Sequence, residues 1–361
     1  MTAAPPPPAS ASLRSSSIGI GFVGAGPVTQ AIHLPTLARL SDDFHIAAVT
    51  DIDPEVAASV ARRVDARVAI DLADLLADPS VEVVAICTPP ALHADQVIAA
   101  MEAGKTAVFC EKPLATSAEE AERIAEVAER TGVPLLVGTM HAFDPGWQAV
   151  LPVVDELTRT AHTVRSSIVL PFNDRFEDAA TEVIRRPQAA PPSEMDDDMR
   201  AAIMSMAVLA LAVHDLPLVR RFLPDAAATT VVSAHLLSPF GYAITADCGG
   251  RTVDIFGHMN AQWELHWELE AISADTVLRV EFTPSFVHAG SATATVTGAD
   301  GVRTVHGPFD HNGYEGEWRV IRDVVHGDRR AVPAFASLLA DLEFIVDLAS
   351  DAVGALTKEY A

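Results

Sequence analysis

A glycine-rich stretch near the start of the chain contains residue types that could bind a phosphate group. Residues 21–30 read Gly-Phe-Val-Gly-Ala-Gly-Pro-Val-Thr-Gln; they follow an apolar run that predicts a strand and open a run that predicts a helix. Backbone N–H groups and the helix dipole at such a junction attract a pyrophosphate. The candidate cofactor-binding residues here are Gly24, Gly26, Pro27 and Val28. Thr29 replaces the third glycine of the dinucleotide-binding fingerprint, so a purely structural turn is the alternative.

An aspartate follows the next predicted strand, about 25 residues beyond the glycine-rich turn, close to where dinucleotide folds place an acidic residue. The carboxylate of Asp51 can accept hydrogen bonds from both hydroxyls of an adenosine ribose, and it would repel the additional phosphate of NADP. The two signals together therefore predict NAD, with NADP less favoured. The alternative is that Asp51 only ends the strand or caps the helix before Pro54.

Two more turns lie at the carboxyl ends of predicted parallel strands, where open α/β sheets bind their ligands. The candidate cofactor contacts in the first turn are Thr88, Pro89, Pro90 and His93. The second turn contains Glu111 and Lys112, and the chain has only two other lysines, at positions 105 and 358. A lysine beside a positively charged nicotinamide would lose its proton more readily, which suits proton exchange with a hydroxyl. The alternative for Lys112 is an ordinary surface lysine at a strand end.

The order of predicted elements indicates two domains after a disordered tail. The tail, residues 1–17, is rich in Ala, Pro and Ser and lacks the apolar centre of a secretory signal. In residues 18–140, apolar runs alternate with helical segments, which predicts a doubly wound parallel sheet, a Rossmann domain that binds a dinucleotide. Residues 141–361 predict an α+β domain with an open, mostly antiparallel sheet, one long helix at 197–222, and closing helices that pack back on the first domain.

The charge balance argues against nucleic acid and membrane partners. Among 361 residues, 25 Lys and Arg stand against 49 Asp and Glu, and the formal net charge of −24 repels phosphates and anionic lipid headgroups. The longest apolar stretch, residues 201–213, is too short to cross a bilayer. Three cysteines cannot all pair, and Cys87 and Cys110 end apolar runs, so we expect reduced thiols and a cytoplasmic protein. The histidines have no spacing that predicts a metal site.

These motifs resemble the glucose–fructose oxidoreductase and inositol dehydrogenase family, also called Gfo/Idh/MocA. The resemblance runs through nearly all of the chain from residue 18, and its most specific part is Ala-Gly-Lys at 103–105 followed by Glu-Lys-Pro at 111–113. Further matches are Gly-Ala-Gly at 24–26, Asp-Ile-Asp-Pro-Glu at 51–55, Thr-Pro-Pro at 88–90 with His93, Val-Gly at 137–138, Phe-Asp-Pro at 143–145 and His-Asp-Leu at 214–216. The resemblance implies a nicotinamide cofactor at the cleft, with Glu111 near its ribose, and a second domain that binds substrate and often supports oligomers.

The resemblance also implies two catalytic residues. Lys112 matches the family's catalytic lysine, and His214 matches the histidine that faces the substrate from the long helix. Family dehydrogenases commonly have an aspartate four residues before that histidine, where it can polarise the imidazole. Ala210 stands there in this chain, and Pro217 replaces a second aspartate often found after the histidine. The alternative for His214 is a histidine satisfied by packing or by Asp215.

Other residues are candidates for contact with the substrate. They are His141, Asn173, Arg175 and Tyr314. Tyr314 resembles a family tyrosine at the start of a late helix, whereas His141 has an equally good alternative as a loop histidine near Asp144. Trp263 and Trp267 share one face of a predicted strand, which predicts a sheet core or a contact between subunits of a homo-oligomer.

The sequence therefore predicts an NAD(P)-dependent oxidoreductase that transfers a hydride between nicotinamide and a carbon of a sugar, sugar derivative or cyclitol. Lys112 would exchange the hydroxyl proton, alone or with His214. Two alternatives are a relative that retains NAD and cleaves glycosidic bonds, and a dinucleotide- or sugar-binding protein without turnover. The sequence does not identify the substrate, because substrate specificity depends on loops of the second domain.

Overall fold

The first sheet of the protein consists of six parallel strands. The computed structural model describes residues 17–172, 177, 181–184, 196–260, 265–284 and 290–359. The strands are β1 (Ile18–Val23), β2 (Phe44–Thr50), β3 (Arg67–Val68), β4 (Val83–Ile86), β5 (Ala107–Glu111) and β6 (Leu135–Gly138). Their order in the sheet is β3-β2-β1-β4-β5-β6, which confirms the predicted Rossmann topology. The order reverses between β1 and β4, so the carboxyl ends of these strands form the crevice in which such sheets bind ligands.

Short helices connect the strands of this sheet. They are α1 (Leu34–Arg39), α2 (Pro54–Val64), α3 (Leu72–Ala77), α4 (His93–Glu102) and α5 (Ala118–Thr131). Local sequence sets their ends: the Asp53 carboxylate accepts from backbone N–H groups at the start of α2, and Ser117 does the same for α5. Gly132 ends α5 with a φ of 66°, a left-handed conformation that favours glycine.

The second sheet has eight strands and is mostly antiparallel, as predicted. The strands are β7 (Thr163–Pro171), β8 (Thr230–Leu236), β9 (Phe240–Cys248), β10 (Arg251–Asn260), β11 (His266–Ile272), β12 (Thr276–Glu281), β13 (Thr293–Gly298) and β14 (Arg303–His306). They lie in the order β14-β13-β12-β11-β7-β10-β9-β8. Only β7 and β10 pair in parallel among these described strands.

The single long helix predicted over residues 197–222 is wrong. The described part of this half contains the helices α6 (Pro145–Gln148), α7 (Leu151–Thr160), α8 (Asp197–Ala210), α9 (Leu216–Arg220), α10 (Gly313–Val325) and α11 (Phe335–Glu359). A 3₁₀ turn at Ala212–His214 separates α8 from α9. Pro217 has no N–H to donate to the carbonyl of Val213, so a continuous α-helix cannot pass this point. His214 therefore lies in a turn between two helices and not on the long helix.

The two closing helices connect the two sheets. Trp318 of α10 is fully buried in a core of the first sheet, where its ring stacks on Phe109 at a centroid distance of 5.2 Å. In α11, Leu338 and Leu342 pack in a core of the first sheet, whereas residues one to two turns later, such as Leu348, pack in the core of the second. One helix thus contributes to both cores.

The apolar stripe predicted on β11 is buried inside the chain. Trp267 and Leu269 are 4% and 1% exposed and lie in the core of the second sheet with residues of α8 and α11. The alternate residues Glu268 and Glu270 lie on the other face, where Arg279 forms ion pairs with both. This stripe therefore gives no reason to expect a subunit contact, and Trp263 lies outside the described residues. Among the helices described here, none is long and apolar enough to span a membrane.

Candidate active site

The glycine-rich turn after β1 has the two glycines that a close backbone approach requires. Gly24 has a φ of 93°, and a Cβ there would lie 2.6 Å from the carbonyl oxygen of Cys87. A Cβ on Gly26, by contrast, would meet no atom within 4 Å. Gly24 is therefore required by the fold itself, whereas Gly26 leaves open space beside Pro27 and Val28 at the start of a helix. Such a turn fits a pyrophosphate.

Thr29, in place of the third glycine, is accommodated by the turn. Its buried hydroxyl donates to the carbonyl of Gly24 at 2.7 Å. The helix then starts with a π-helical turn, Thr29–His33, which continues directly into α1. The substitution therefore stabilises the first half of the turn and leaves Gly26 open.

Asp51 lies against this turn. Its Oδ2 accepts from the backbone N–H of Ala25 at 2.8 Å, and its Oδ1 accepts from the N–H of Asp53 at 2.9 Å. A carboxylate has about four acceptor positions, so Asp51 can accept from several donors at this turn. Asp51 is partly exposed, which fits the predicted contact with a dinucleotide.

The turn after β4 divides into an exposed part and a buried part. Pro89 and Pro90 are exposed and Thr88 is partly exposed, so all three can meet a ligand in the crevice. His93 is 1% exposed, and its two ring nitrogens bind the carbonyls of Thr88 and Pro113 at 2.8 and 2.7 Å. Its ring therefore holds the turns after β4 and β5 together and has no nitrogen left for the predicted cofactor contact.

Glu111 is fixed by a histidine that sequence analysis did not identify. His33, fully buried, contacts Oε1 of Glu111 through Nε2 at 2.8 Å, and its Nδ1 accepts from the indole N–H of Trp318 at 3.3 Å. The neutral ring therefore carries its hydrogen on Nε2 and donates it to Glu111. Burial opposes ionisation of Glu111, but the His33 contact and Lys112 outweigh it, so the pKa of Glu111 is lowered.

Lys112 connects the carboxyl edge of the first sheet to the turn after α8. Its Nζ donates to the carbonyl oxygen of Ala210 at 3.1 Å, a carbonyl at the end of that helix. Burial lowers the pKa of Lys112, and the charge of Glu111 opposes this shift. A lysine with a lowered pKa exchanges protons more readily near neutral pH, and the cause here is burial rather than the nicotinamide charge that the sequence analysis invoked.

His214 lies near Lys112 but has few partners. Its Nδ1 is buried, and no described residue hydrogen-bonds it. Burial, followed by the charges of Lys112 and His141, holds the pKa of His214 well below its usual range. The imidazole is therefore neutral and lacks the carboxylate partner that would raise its basicity.

His141, rather than His214, is the histidine that Asp215 holds. Nδ1 of His141 lies 2.7 Å from Oδ1 of Asp215. The same carboxylate accepts from the hydroxyl of Ser166 at 2.7 Å and from the indole N–H of Trp267 at 2.8 Å. Because β7 and β11 supply two of these donors, no local spacing in the sequence could have indicated the pair.

A small pocket lies beside His141. Its volume is about 10 Å³, room for roughly one water molecule, and Phe282 and Tyr314 line it with the 3₁₀ turn Met140–Phe143. Asp144, the alternative partner of His141, instead binds the backbone N–H groups of Gly146 and Ala292. The other two predicted substrate contacts, Asn173 and Arg175, lie outside the described residues.

The site as a whole combines an open glycine-rich turn, a fixed carboxylate, and a lysine and two histidines at the junction of the two sheets. Within the described ranges, no group of three His, Cys, Asp or Glu side chains is placed to hold a metal ion. This arrangement can bind a dinucleotide along the edge of the first sheet and exchange protons with a small molecule held against the second.

Comparison with known proteins gives a match over the first sheet. Residues 18–139 match the profile of a family described as "Oxidoreductase family, NAD-binding Rossmann fold". Inositol 2-dehydrogenase 3 of Saccharopolyspora erythraea is 41% identical over 140 residues, which are 38% of this chain and 41% of that protein. The matched part thus spans less than half of the length of this relative.

Solved structures extend the similarity of fold to nearly the whole chain. The 3-ketoreductase KijD10 of Actinomadura kijaniata, solved with NADP and TDP-benzene, gives a TM-score of 0.69 at 19% identity, covering 93% of this chain and 98% of that chain. The UDP-N-acetylglucosamine 3-dehydrogenase GnnA of Acidithiobacillus ferrooxidans gives 0.69 at 17% identity, covering 94% and 99%. The comparisons thus give a family match for residues 18–139 and a similarity of fold for nearly the whole chain.

Proposed function

We propose that the protein is an NAD(P)-dependent dehydrogenase or reductase that acts on a CH–OH group of a sugar, sugar derivative or cyclitol. The observation that carries the proposal is the position of Lys112, whose Nζ bridges from the edge of the first sheet to the turn that carries His214. The family match of residues 18–139 and the name of the inositol dehydrogenase relative support this class of reaction.

Different residues of the chain would bind the cofactor, orient it and exchange the proton. The turn at Gly24 and Gly26 and the carboxylate of Asp51 would hold the dinucleotide, whose nicotinamide supplies the acceptor or donor of the hydride. Glu111, fixed by His33, would orient the nicotinamide ribose. Lys112, with a pKa lowered by burial, would exchange the proton of the substrate hydroxyl, alone or with a histidine.

The experiment that tests this function is a panel of sugars, nucleotide sugars and cyclitols, assayed in both directions by the absorbance of reduced nicotinamide. Turnover with net formation or loss of reduced cofactor supports the proposal. Release of a free sugar with retained, unchanged cofactor would favour the glycoside-cleaving alternative. Tight cofactor binding without any product across the panel would favour a binding protein.

The preferred cofactor is NAD. Asp51 is partly exposed beside the turn, where its charge would repel the 2′-phosphate of NADP. An arginine nearby could bind that phosphate, but the side chain of Arg63 is bound to Gln30 and to the carbonyl of Glu182. The solved structure of KijD10 contains NADP, so similarity of fold does not favour NAD. The preference for NAD rests on the residues of this chain alone. Calorimetric titration of both cofactors against Asp51→Ser, with the exposed Glu55→Ser as control, tests it. Tighter binding of NADP by the unchanged protein would overturn this preference.

A homo-oligomer that forms through the second sheet is the proposed assembly, and the cytoplasm is the proposed compartment. The outer face of that sheet has ion pairs of Arg279 with Glu268 and Glu270, so a contact there would be polar rather than apolar. Light scattering that gives the mass of one chain at micromolar concentration would contradict the oligomer. All three cysteines are free, which fits a reducing compartment.

A further inference from the structure

The family resemblance gives the proton-exchanging imidazole as His214, but the contacts of that ring do not support this role. Ala210, one turn earlier, offers only its carbonyl, which Lys112 already occupies. Asp215, the next residue, turns its carboxylate away to His141. With its Nδ1 buried and unpaired among the described residues, His214 has no group that would stabilise a proton on its ring.

His141 has the opposite surroundings. Asp215 is 0% exposed, and the three described side chains that hydrogen-bond it, His141, Ser166 and Trp267, all act as donors. An ionised carboxylate accepts such bonds and donates none, so the hydrogen of the neutral His141 ring lies on Nδ1. The lone pair of Nε2 is then free to accept a proton, and the negative charge of Asp215 stabilises the imidazolium that results.

The ring of His141 is also held in one orientation. Phe282 stacks on it at a centroid distance of 3.8 Å, and Trp267 meets it edge-on at 4.6 Å. No described residue hydrogen-bonds Nε2, and the ring borders the pocket that Tyr314 lines. The ring centroid of His141 lies 6.3 Å from that of His214.

We propose that His141, held by Asp215, is the imidazole that exchanges protons with the substrate together with Lys112, in place of His214. This inference rests on the proposed function. In the oxidation direction the C–H bond breaks with its electron pair transferred as hydride to the nicotinamide, and the O–H bond breaks as Lys112 takes the proton. The ammonium passes this proton through the hydroxyls of the bound polyol to Nε2 of His141, which releases it to solvent. Asp215 remains ionised throughout.

The titratable groups around His141 come from four elements. They are Asp215 and His214 from the turn after α8, Asp144 from the turn that carries His141, Tyr314 from α10, and Tyr242 of β9, which lies near Asp215. Burial raises the pKa of Tyr242 well above its usual range, so this tyrosine stays neutral. Asp215 is thus the carboxylate in direct contact with the ring.

Two conservative variants separate this role from a structural one. His141→Asn places an amide N–H where Nδ1–H donates to Asp215, and it removes Nε2. Asp215→Asn removes the charge but can still accept from His141 and Trp267, because Ser166 can reverse its hydroxyl to accept from the new amide. His162→Asn is the matched control, because His162 is exposed and its ring bonds only the neighbouring Thr163 among the described side chains.

We expect His141→Asn to lower kcat by about 10²- to 10⁴-fold with little change in the Kd for NAD, and to abolish the acidic limb of the pH profile. The primary isotope effect on a substrate deuterated at the reacting carbon should fall, because proton transfer becomes slow. Asp215→Asn should also lower kcat, since the imidazolium loses its counter-charge. A His141→Asn variant within threefold of the unchanged protein, or one with an unaltered pH profile, overturns the proposal.

A readout without turnover separates this proposal from the proposed function. The ¹⁵N signals of His141, identified by their absence in His141→Asn, should report Nδ1–H in the free protein. The Nε2 signal should shift when NAD and the substrate found in the panel are added, with myo-inositol used if the panel finds none. Absence of turnover alone contradicts the proposed function, whereas a free-protein spectrum with the hydrogen of His141 on Nε2 overturns the role of His141 in either case.

Discussion

Two lysines with described side chains show how position, rather than residue type, decides chemistry. Nζ of Lys105 donates to the carbonyls of Asp78 and Val81, so the side chain links two loops by hydrogen bonds and has a structural role. Nζ of Lys112 donates to one carbonyl at the junction of the two sheets, beside Glu111 and His214. The place of Lys112 after a strand is local information, but its catalytic role was implied by the resemblance of Glu-Lys-Pro at 111–113 to the family motif.

We predict that Lys112→Ala loses activity towards the upper end of the 10²- to 10⁴-fold range that acid–base groups contribute, while the Kd for cofactor changes little. His214→Ala should lose only about tenfold, through poorer positioning of the substrate, because its neutral, unpaired ring is a weak proton acceptor. Turnover and cofactor affinity of both variants on one substrate measure this difference. Abolished turnover in His214→Ala with most activity kept in Lys112→Ala would reverse the assignment.

Glu317 is a buried carboxyl whose charge the fold does not compensate. It is 0% exposed, and neither carboxyl oxygen has a hydrogen-bond partner among the described residues. Burial, and then the charge of Glu111, raise the pKa of Glu317 well above its usual range. The group is therefore protonated in the folded protein at pH values at which it ionises in the unfolded chain.

This shift predicts a stability that depends on pH. The folded pKa is raised, so the contribution of Glu317 is fully present below about pH 4.5 and falls by about 1.4 kcal/mol per pH unit above it, until the folded pKa is reached. Glu317→Gln cannot ionise, so its free energy of unfolding relative to the unchanged protein should rise with pH by that slope. Urea unfolding at several pH values measures it, with the exposed Glu343→Gln as control. Parallel stability curves for Glu317→Gln and the unchanged protein would show that Glu317 ionises normally.

At the level of elements, the structure explains why some parts were predictable and others were not. The strands of the first sheet and the helix caps at Asp53 and Ser117 depend on residues that are close together in the sequence, so they could be predicted. The break between α8 and α9 also has a local cause in Pro217, although the apolar run around it resembles one helix. The contacts of His33 with Glu111 and of His141 with Asp215 join residues 78 and 74 positions apart, so no periodicity indicates them.

The glycine-rich turn allows a matched pair of variants. Gly24→Ala should destabilise the fold by at least about 1–2 kcal/mol, because of its positive φ and the Cβ clash with the Cys87 carbonyl. Gly26→Ala should leave stability unchanged or up to about 1 kcal/mol higher, since its Cβ meets no protein atom. The same Cβ occupies the space proposed for the pyrophosphate, so the Kd for NAD should rise at least about tenfold, as 1.4 kcal/mol of lost contact implies. Thermal unfolding and calorimetry distinguish the two effects, and full NAD affinity in Gly26→Ala would place the cofactor elsewhere.

At the level of the whole molecule, the site depends on two sheets keeping a fixed relation, because the first supplies Lys112 and the second supplies the donors that hold Asp215. Helix α11 fixes the relative position of the two sheets, because it packs in a hydrophobic core of each. Leu342 is 4% exposed in a core of the first sheet, and Leu348 is 2% exposed in the core of the second. A helix that packs in both cores cannot leave one of them without exposing apolar surface in the other.

The two sheets should therefore unfold in one cooperative transition. Leu342→Ala and Leu348→Ala should each lower the free energy of unfolding by about 2–5 kcal/mol, the usual effect of a cavity in a core. Because α11 joins the cores, each variant should reduce the hydrogen-exchange protection of β5 and of β10 by similar factors, although each cavity lies under one sheet only. Exchange followed by mass spectrometry resolves peptides from both strands, and Glu343→Ala, on the exposed side of α11, is the control. Loss of protection confined to β5 in Leu342→Ala, with β10 unaffected, would mean that the sheets unfold independently and that the junction at Lys112 is a flexible contact.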